Sequence, residues 1–493
     1  MKLSELTSVL TAALIDGEET EVMGLTSDSR RVKPGDLFIC LPGHTVDGHD
    51  YAAEAVKRGA AALVVNHRMD LPVTQVIVRD CKFALAALAD AFYGQPSHTM
   101  TMIGVTGTNG KTTTTTLISK ILNDFGLPTG LIGTIGMTYG GHTYPMSCTT
   151  PDALELQHSL SEMSRSGTQM CVMEVSSHAL EQGRVKGTHF RTAVFTNLTQ
   201  DHLDYHQSLQ EYRSAKGLFF SRLGNAFDKD PKRRKYAVLN VDDEASRVFS
   251  KLTAAEIITY GIHHDADVRA SRIQIGAQGT SFHVETFCGS ADIKLKLIGN
   301  FNVYNTLAAI TAALIEGVPL SFIQQSLETV SGVEGRVESV DEGQPYSVIV
   351  DYAHTPDGLE NVLKTVKEIA AHRILTVFGC GGDRDRSKRP VMGRIAAQWS
   401  DMVFITSDNP RSEDPEQILK DIEKGLIEDN VPAERYLLIE DRREAIKKAI
   451  EMASPGDVVL IAGKGHETYQ LIGGKVLDFD DRIVAKEAIR GRQ

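Results

Sequence analysis

The sequence lacks any Cys-x-x-Cys pair. Its six cysteines, at 40, 81, 148, 171, 288 and 380, are scattered, most of them in or beside apolar runs. Such usage leaves no disulfide framework to read and suits reduced thiols in a cytoplasmic protein. No stretch approaches the roughly twenty apolar residues of a membrane span, and no low-complexity tract or short-period repeat interrupts the chain. Positive charge is not in excess either: 52 lysines and arginines face 64 aspartates and glutamates, a net charge of -12. That balance argues against wholesale binding to nucleic acid or anionic membrane, so an anionic ligand must be met by local clusters. In MKLSELTSVLTAAL, at the amino terminus, Leu3, Leu6, Leu10 and Leu14 recur at helical spacing while Glu5 interrupts any apolar core. The pattern predicts an amphipathic helix, not a signal peptide.

At 493 residues the chain exceeds what one hydrophobic core holds. Three α/β blocks are expected. Residues 1–98 carry short strands and a helix over 51–59, and end in the turn-rich YGQPSHTM with a linker near Pro96. Residues 99–333 begin with a strand over 100–106, a glycine-rich loop and a helix over 111–125. Further apolar runs at 170–175 and 193–197 predict a mostly parallel sheet. In residues 334–493 a strand, polar loop and helix recur, a Rossmann-like rhythm whose ligands belong beyond the carboxyl ends of the strands. The basic run KDPKRRKY, 229–236, reads as a solvated loop.

GVTGTNGKTTTT (104–115) joins strand to helix. Val105 occupies the first glycine position of the general phosphate-loop pattern, but the core GTNGKT is specific. Gly107, Thr108, Asn109, Gly110 and Thr113 would cradle phosphates with backbone N–H groups, Lys111 would reach the terminal ones, and Thr112 would coordinate Mg²⁺. The chain has no Asn-Lys-x-Asp guanine reader, which disfavours a GTPase. Glu174 closes one apolar run, and Asp201, His202 and Asp204 follow another. Adjacent parallel strands would aim Glu174 and His202 at the same phosphate edge, where a hard cation wants oxygen and an occasional imidazole. On its residues alone Lys216, in EYRSAKGLFF, reads as a lysine snorkelling from an apolar face.

Taken in order, GTNGKTT, EVSSHAL, FTNLTQDHLDYH, YRSAK, GNFNVYN, DYAHTPD and GKGHE resemble the Mur ligases over essentially the whole chain. These are ATP-dependent amide-bond-forming enzymes of peptidoglycan precursor synthesis. The resemblance implies a small N-terminal uridine-binding domain (1–98), a central P-loop ATPase-like domain (99–333) and a C-terminal Rossmann-like domain (334–493). It also implies that CO₂ carbamylates Lys216, which with Thr112, Glu174 and His202 would then hold two Mg²⁺ ions. Asn305, Arg336 and Asp351 would serve the adenine side of ATP, with His354 brought onto the nucleotide. For the UDP-sugar peptide the matching positions are Ser29, His44 and Thr45 at the uridine diphosphate end, and Thr149, Thr150, Ser176, Gln182 and Arg184 at the peptide. Cys148 stands where some relatives carry Asn, and is left out.

The loop SDNPRSEDP (407–415) places a carboxylate, an amide and a guanidinium together after a buried strand, with an extended turn at Asn409-Pro410. In the family, DNPR marks the members that add meso-diaminopimelate. Arg411 would take the distal carboxylate of that amino acid bidentately, with Arg384 as a second cation. Asp408, Asn409 and Pro410 would shape the loop, Gly463 would allow close backbone approach, and Glu467 would accept from the distal ammonium. The implied substrates are ATP, UDP-N-acetylmuramoyl-L-alanyl-D-glutamate and meso-diaminopimelate, for a cytoplasmic monomer. The alternatives are a lysine-adding ligase of the same family, a ligase of the folylpolyglutamate synthase type, and an ATP-gated scaffold without catalysis. The first differs in the DNPR loop, the second lacks the N-terminal block, and intact Lys111, Glu174, His202 and Lys216 disfavour the third.

Overall fold

The computed structural model describes residues 1–493 apart from 44–45, 147, 204, 225–227, 231–232, 277–278 and 493. Its strands form three large sheets in succession along the chain. The first runs Leu14–Asp16, Thr74–Ile77, Ala62–Val65, Asp36–Ile39, Gly24–Thr26 in space. All its pairings are parallel except that of the edge strand Leu14–Asp16. Every residue of Asp36–Ile39 and Ala62–Val65 is buried, as expected of strands covered on both faces.

The amino-terminal helix is shorter than its leucine spacing predicts. It spans Leu3–Thr7; Leu3, Leu6 and Leu10 are buried, whereas Leu14 is 63% exposed and opens the edge strand opposite Ile77. Ladder hydrogen bonds to a neighbour 63 positions along the chain (77 − 14) outweigh local periodicity here.

The central sheet has eleven strands. Seven are mutually parallel, in the order Thr129–Gly133, Met170–Glu174, Thr101–Thr106, Phe190–Phe195, Tyr236–Asn240, Glu256–Gly261, Val268–Gly276. Antiparallel strands extend both margins. Along Thr101–Thr106 the side chains alternate faces: Ile103 and Val105 pack with Leu117, Ile118 and Leu307, and Met102 packs with Leu160 and Phe219. The strand therefore runs through the middle of the molecule, and its carboxyl end lies between those of Met170–Glu174 and Phe190–Phe195.

The third sheet runs Glu338–Ser339, Ser347–Asp351, Val458–Ala462, Ile374–Phe378, Met402–Ile405, Tyr436–Leu438, parallel except at the first strand. Helices Pro356–Ile369, Lys388–Trp399 and Pro415–Glu428 cover one face, and Arg442–Met452 and Asp481–Arg492 the other. Val458–Ala462 enters the middle of the sheet after the chain has travelled to its margin, so Asp351, Ser407 and Gly463 all lie at carboxyl ends on one rim.

The basic run 229–236 is only partly a solvated loop. Residues 231–232 lie outside the described residues, Tyr236 opens a strand, and Lys235 is buried. Its Nζ donates to the Phe190 carbonyl and to Nε2 of His189 (2.8 Å), whose ring stacks on His98 at 4.6 Å. Those bonds replace the water that an ammonium otherwise requires. Burial, and then the Lys235 and His98 charges, hold the His189 imidazole down at about 4. Between about 4 and the ordinary 6.5 the unfolded chain therefore binds more protons at this site, and this contribution to stability is lost as pH falls through that window. Urea melts from pH 7 to pH 4 will show a flatter loss of stability in His189→Gln, which keeps an acceptor for Lys235 but does not titrate, than in the parent.

Candidate active site

Gly110, at φ 83°, turns the chain into the helix Lys111–Asp124. A Cβ there would collide with Oδ1 of Asn305, and one on Gly107 with Oγ1 of Thr196. The loop is braced from the adjacent strand end: Asn109 N donates to Oδ1 of Asn197 (2.9 Å), Thr108 N to the Asn197 carbonyl (2.8 Å), and Oγ1 of Thr196 to the Asn109 carbonyl (2.6 Å). Lys111 Nζ donates to the carbonyls of Gly107 (2.9 Å) and Thr108 (2.8 Å).

Glu174 and His202 flank this loop from strands on either side of it. The buried Glu174 carboxylate accepts from Oγ1 of Thr112 (3.0 Å), Thr134 N (2.8 Å) and Thr134 Oγ1 (3.1 Å). His202, at φ 57°, has Nε2 3.3 Å from Asp201 Oδ2. Burial pushes its imidazole down to about 3 against the upward pull of Asp201, leaving a neutral ring at pH 7. Burial works against the Asp201 charge, yet His202, Lys388 and His354 hold its carboxyl well below the usual range. Lys216 is 1% exposed, donates to the Gly107 carbonyl (2.8 Å) and lies 4.4 Å over the Tyr212 ring. Burial and the Lys111 charge drive its amine well below the ordinary lysine value. Snorkelling is thereby excluded: the side chain points inward. Asp204 lies outside the described residues, and among those described no three His, Cys, Asp or Glu side chains gather as a cation site.

The C-terminal unit closes over the loop. Asp357 Oδ2 accepts from Nδ2 of Asn109 (2.7 Å), Arg336 Nη2 donates to Oγ1 of Thr112 (3.0 Å) and stacks on Tyr352 (4.5 Å), and Lys388 lies 3.9 Å from Asp201. A cavity of about 320 Å³ opens between the two units. Asn109, Gly110, Thr112, Thr113, Asn305, Arg336, Asp351 and His354 line it; Gly107, Thr108 and Lys111 do not, and are bonded to one another. Asp351 accepts from the backbone N–H of Val337 and Ala353, both at 2.7 Å, which ties the Arg336 turn to its strand.

A second chain of bonds leaves Glu174 in the opposite direction. Thr134 Oγ1, which bonds Glu174, meets Thr149 Oγ1 at 3.1 Å; Thr150 Oγ1 donates to the Glu174 carbonyl (2.8 Å) and accepts from Ser176 N (3.1 Å). Arg184 donates to the Thr150 carbonyl (2.9 Å) and, through two nitrogens, to Oε1 of Gln182. All five positions expected at the peptide thus form one group. Cys148, set aside in the sequence reading, is beside them, its Sγ 3.8 Å from Arg184 Nη1. Ser29 is buried in a turn of the first unit, and His44 and Thr45 lie outside the described residues.

On the third sheet's rim, Asn409 holds two loops together. Its Nδ2 donates to Glu467 Oε2 (2.9 Å), and its Oδ1 accepts from Leu471 N (2.9 Å) and Lys464 Nζ (3.3 Å). Glu467 is expected as an open acceptor, but it also pairs with the buried Lys464 (2.9 Å). Arg411, at φ 53°, donates to the Gly382 carbonyl (2.7 Å); the Asp383 carboxyl, lowered first by bonds from Ser412, feels both Arg411 and Arg384. Pro410 is buried and Gly463 turns at φ 119° against Asp408 Oδ2. Sequence reasoning missed Asp357, Lys388 and Lys464, although Asp357 closes the DYAHTPD motif and Lys464 lies within GKGHE.

Because burial disfavours the Lys216 ammonium, the unmodified protein is expected to gain stability with rising pH toward the ordinary lysine value. Lys216→Met, of similar length and uncharged, should in carbonate-free buffer melt at or above the parent, by up to about 2 kcal/mol. A clear loss of stability in chemical denaturation would show that the amine is well accommodated.

Models of known families match in three places: the Mur ligase middle domain at residues 105–313, the Mur ligase glutamate ligase domain at 335–465, and the Mur ligase family catalytic domain at 21–93. The UDP-N-acetylmuramoyl-L-alanyl-D-glutamate--2,6-diaminopimelate ligase of Geobacillus kaustophilus is 52% identical over 100% of both chains, and that of Listeria monocytogenes 48% identical over 99% of both. A solved structure of a ligase of the same name is 34% identical with a TM-score of 0.67, covering 95% of each chain. A Mycobacterium tuberculosis folylpolyglutamate synthase, 17% identical with a TM-score of 0.64, shares the fold over 77% of this chain and 92% of its own. With such identity sustained from end to end, the chain belongs to the Mur ligase family.

Proposed function

We infer that the protein is an ATP-dependent ligase that joins meso-diaminopimelate to the D-glutamyl γ-carboxylate of UDP-N-acetylmuramoyl-L-alanyl-D-glutamate in peptidoglycan precursor synthesis. The observation that carries this reading is 52% identity, over the full length of both chains, with a ligase of that name. Residues 1–98 would take the uridine end through Ser29, His44 and Thr45. Residues 99–333 would hold ATP on the loop 107–113 and the peptide on Thr149, Thr150, Ser176, Gln182 and Arg184. Residues 334–493 would supply Arg336 and Asp351 to the nucleotide and the loops around Arg411 and Glu467 to the amino acid. It would act in the cytoplasm as a monomer; among the described residues no helix is long and apolar enough to cross a membrane.

The chemistry needs two steps. A γ-carboxylate oxygen of the D-glutamyl residue attacks the γ-phosphorus of ATP, the bond to the β,γ-bridging oxygen breaks, and ADP departs, leaving an acyl phosphate. A neutral amine of diaminopimelate then adds to the acyl carbon. The resulting tetrahedral species loses a proton from nitrogen and expels inorganic phosphate, closing the amide. Lys111 and the N–H groups of the loop offset the charge that spreads over the phosphoryl oxygens. The donor set fits magnesium: a hydroxyl and a carboxylate 3.0 Å apart at Thr112 and Glu174, and a neutral imidazole at His202. When bound there, Mg²⁺ supplies charge neutralisation on the phosphates. The depressed Lys216 amine fits carbamylation, since a neutral nitrogen can add its lone pair to CO₂ and release a proton. The carbamate would add a second carboxylate to the set.

Phosphate release from ATP in the presence of the UDP-linked dipeptide should occur with meso-diaminopimelate and not with L-lysine or without an amino acid. Release with lysine alone would keep the ligase and sink the reading of the DNPR loop. Arg411→Ala, which removes a charge-assisted partner for the distal carboxylate, should raise KM for diaminopimelate by roughly 10–100-fold while KM for ATP stays within about twofold. Parallel rises in both constants would count against this role.

A further inference from the structure

Two loops carry the amino-acid side of the site, one following Met402–Ile405 and the other following Val458–Ala462. These strands are not neighbours: Ile374–Phe378 lies between them. Two ladders through that strand space them, whereas the loops beyond their carboxyl ends are held by side chains. Farther out, Tyr469–Ile472 is tied to 409–411 through bonds such as Leu471 N to Asn409 Oδ1. The loops themselves are joined by Asn409, which bonds Glu467 and Lys464; beneath them, at the strand ends, one side chain bridges the Ser407 and Ala462 carbonyls. Arg442 opens the helix Arg442–Met452 beneath the rim, fully buried. Its Nη2 donates to the Ala462 carbonyl (3.0 Å) and its Nη1 reaches toward the Ser407 carbonyl (3.5 Å). Those two residues immediately precede Gly463 and Asp408. Asp481, also fully buried, grips the same guanidinium through Nε (2.8 Å) and Nη2 (2.7 Å).

Asp481 thus fixes the plane of a fork whose remaining donors span two strand ends. A lysine could pair with Asp481, but its single ammonium could not also reach both carbonyls. The charges balance: Asp408, Glu467 and Asp481 stand against Arg411, Arg442 and Lys464, three of each sign, which suits a ligand end that brings one ammonium and one carboxylate. We propose that Arg442, oriented by Asp481, is a positioning residue that sets the separation of the Asp408–Arg411 and Gly463–Glu467 loops, and through it the selection of an amino acid with a distal ammonium and carboxylate. This rests on the reading of these loops as the amino-acid site.

Steady-state kinetics of the full chain tests it with Arg442→Lys and with the double variant Arg442→Met, Asp481→Leu, which removes both charges and leaves no orphan. Each should raise KM for meso-diaminopimelate at least tenfold and lower its kcat/KM advantage over L-lysine, with KM for ATP within twofold of the parent. Equal changes in KM for ATP and diaminopimelate, or none in either, would overturn the proposal. So would the unfolding of both variants at the assay temperature, because a scaffold role would then account for the pair. A parent enzyme that adds lysine would instead refute the functional reading, and the positioning role would be read from KM for lysine.

Discussion

One carbonyl oxygen, that of Gly107, accepts from two lysines, Lys111 at 2.9 Å and Lys216 at 2.8 Å. Two ammonium groups that close together, both out of water, repel strongly, so the pair favours a single charge. Burial lowers both amines and Asp201 opposes it at both; Lys111 adds to the fall at Lys216, which lies well below the ordinary lysine value, whereas Glu174 helps to hold the charge on Lys111. The loop thereby sets two like residues in different surroundings, Lys111 with carboxylates on its side and Lys216 facing a second cation. A helix Leu209–Ser221 that delivers Lys216, a strand that delivers Glu174, and the turn at His202 are all arranged about this division.

The same loop is the contact point for the C-terminal unit. Asn109 meets Asp357 and Thr112 meets Arg336, while Asp201 draws Lys388 from the start of the helix Lys388–Trp399. The Asp357 carboxyl, raised first by burial and lowered by bonds from Asn109 and Thr199, carries its partners from a different sheet. Each connection is polar and small. Together they place a cavity whose lining is contributed by both units.

Much of this was legible in the sequence because the informative residues cluster locally. Gly110, Lys111 and Thr112 are consecutive, and the parallel sheets followed from short apolar runs ending in polar residues. The limits are equally physical. Leu14 continues a helical spacing, yet its backbone finds a ladder at Ile77. Lys235 belongs to a basic run, yet Phe190 and His189 supply its bonds. Asn109 and Asp357 are separated by 248 positions, a pairing for which neither neighbourhood carries a signal. Lys216 is the sharpest case: periodicity reads an outward lysine, and only the resemblance pointed inward, where the amine lies.

Because the cavity at Asn109 and Arg336 is walled by two units, a ligand filling it stabilises their docking, and docking strengthens the ligand by the same factor. On the proposed reading of this cavity as the nucleotide site, nucleotide affinity is also a gauge of how the chain is arranged far from the phosphates. A change anywhere along the seam that shifts the docked population will alter apparent ATP binding without touching a single nucleotide contact.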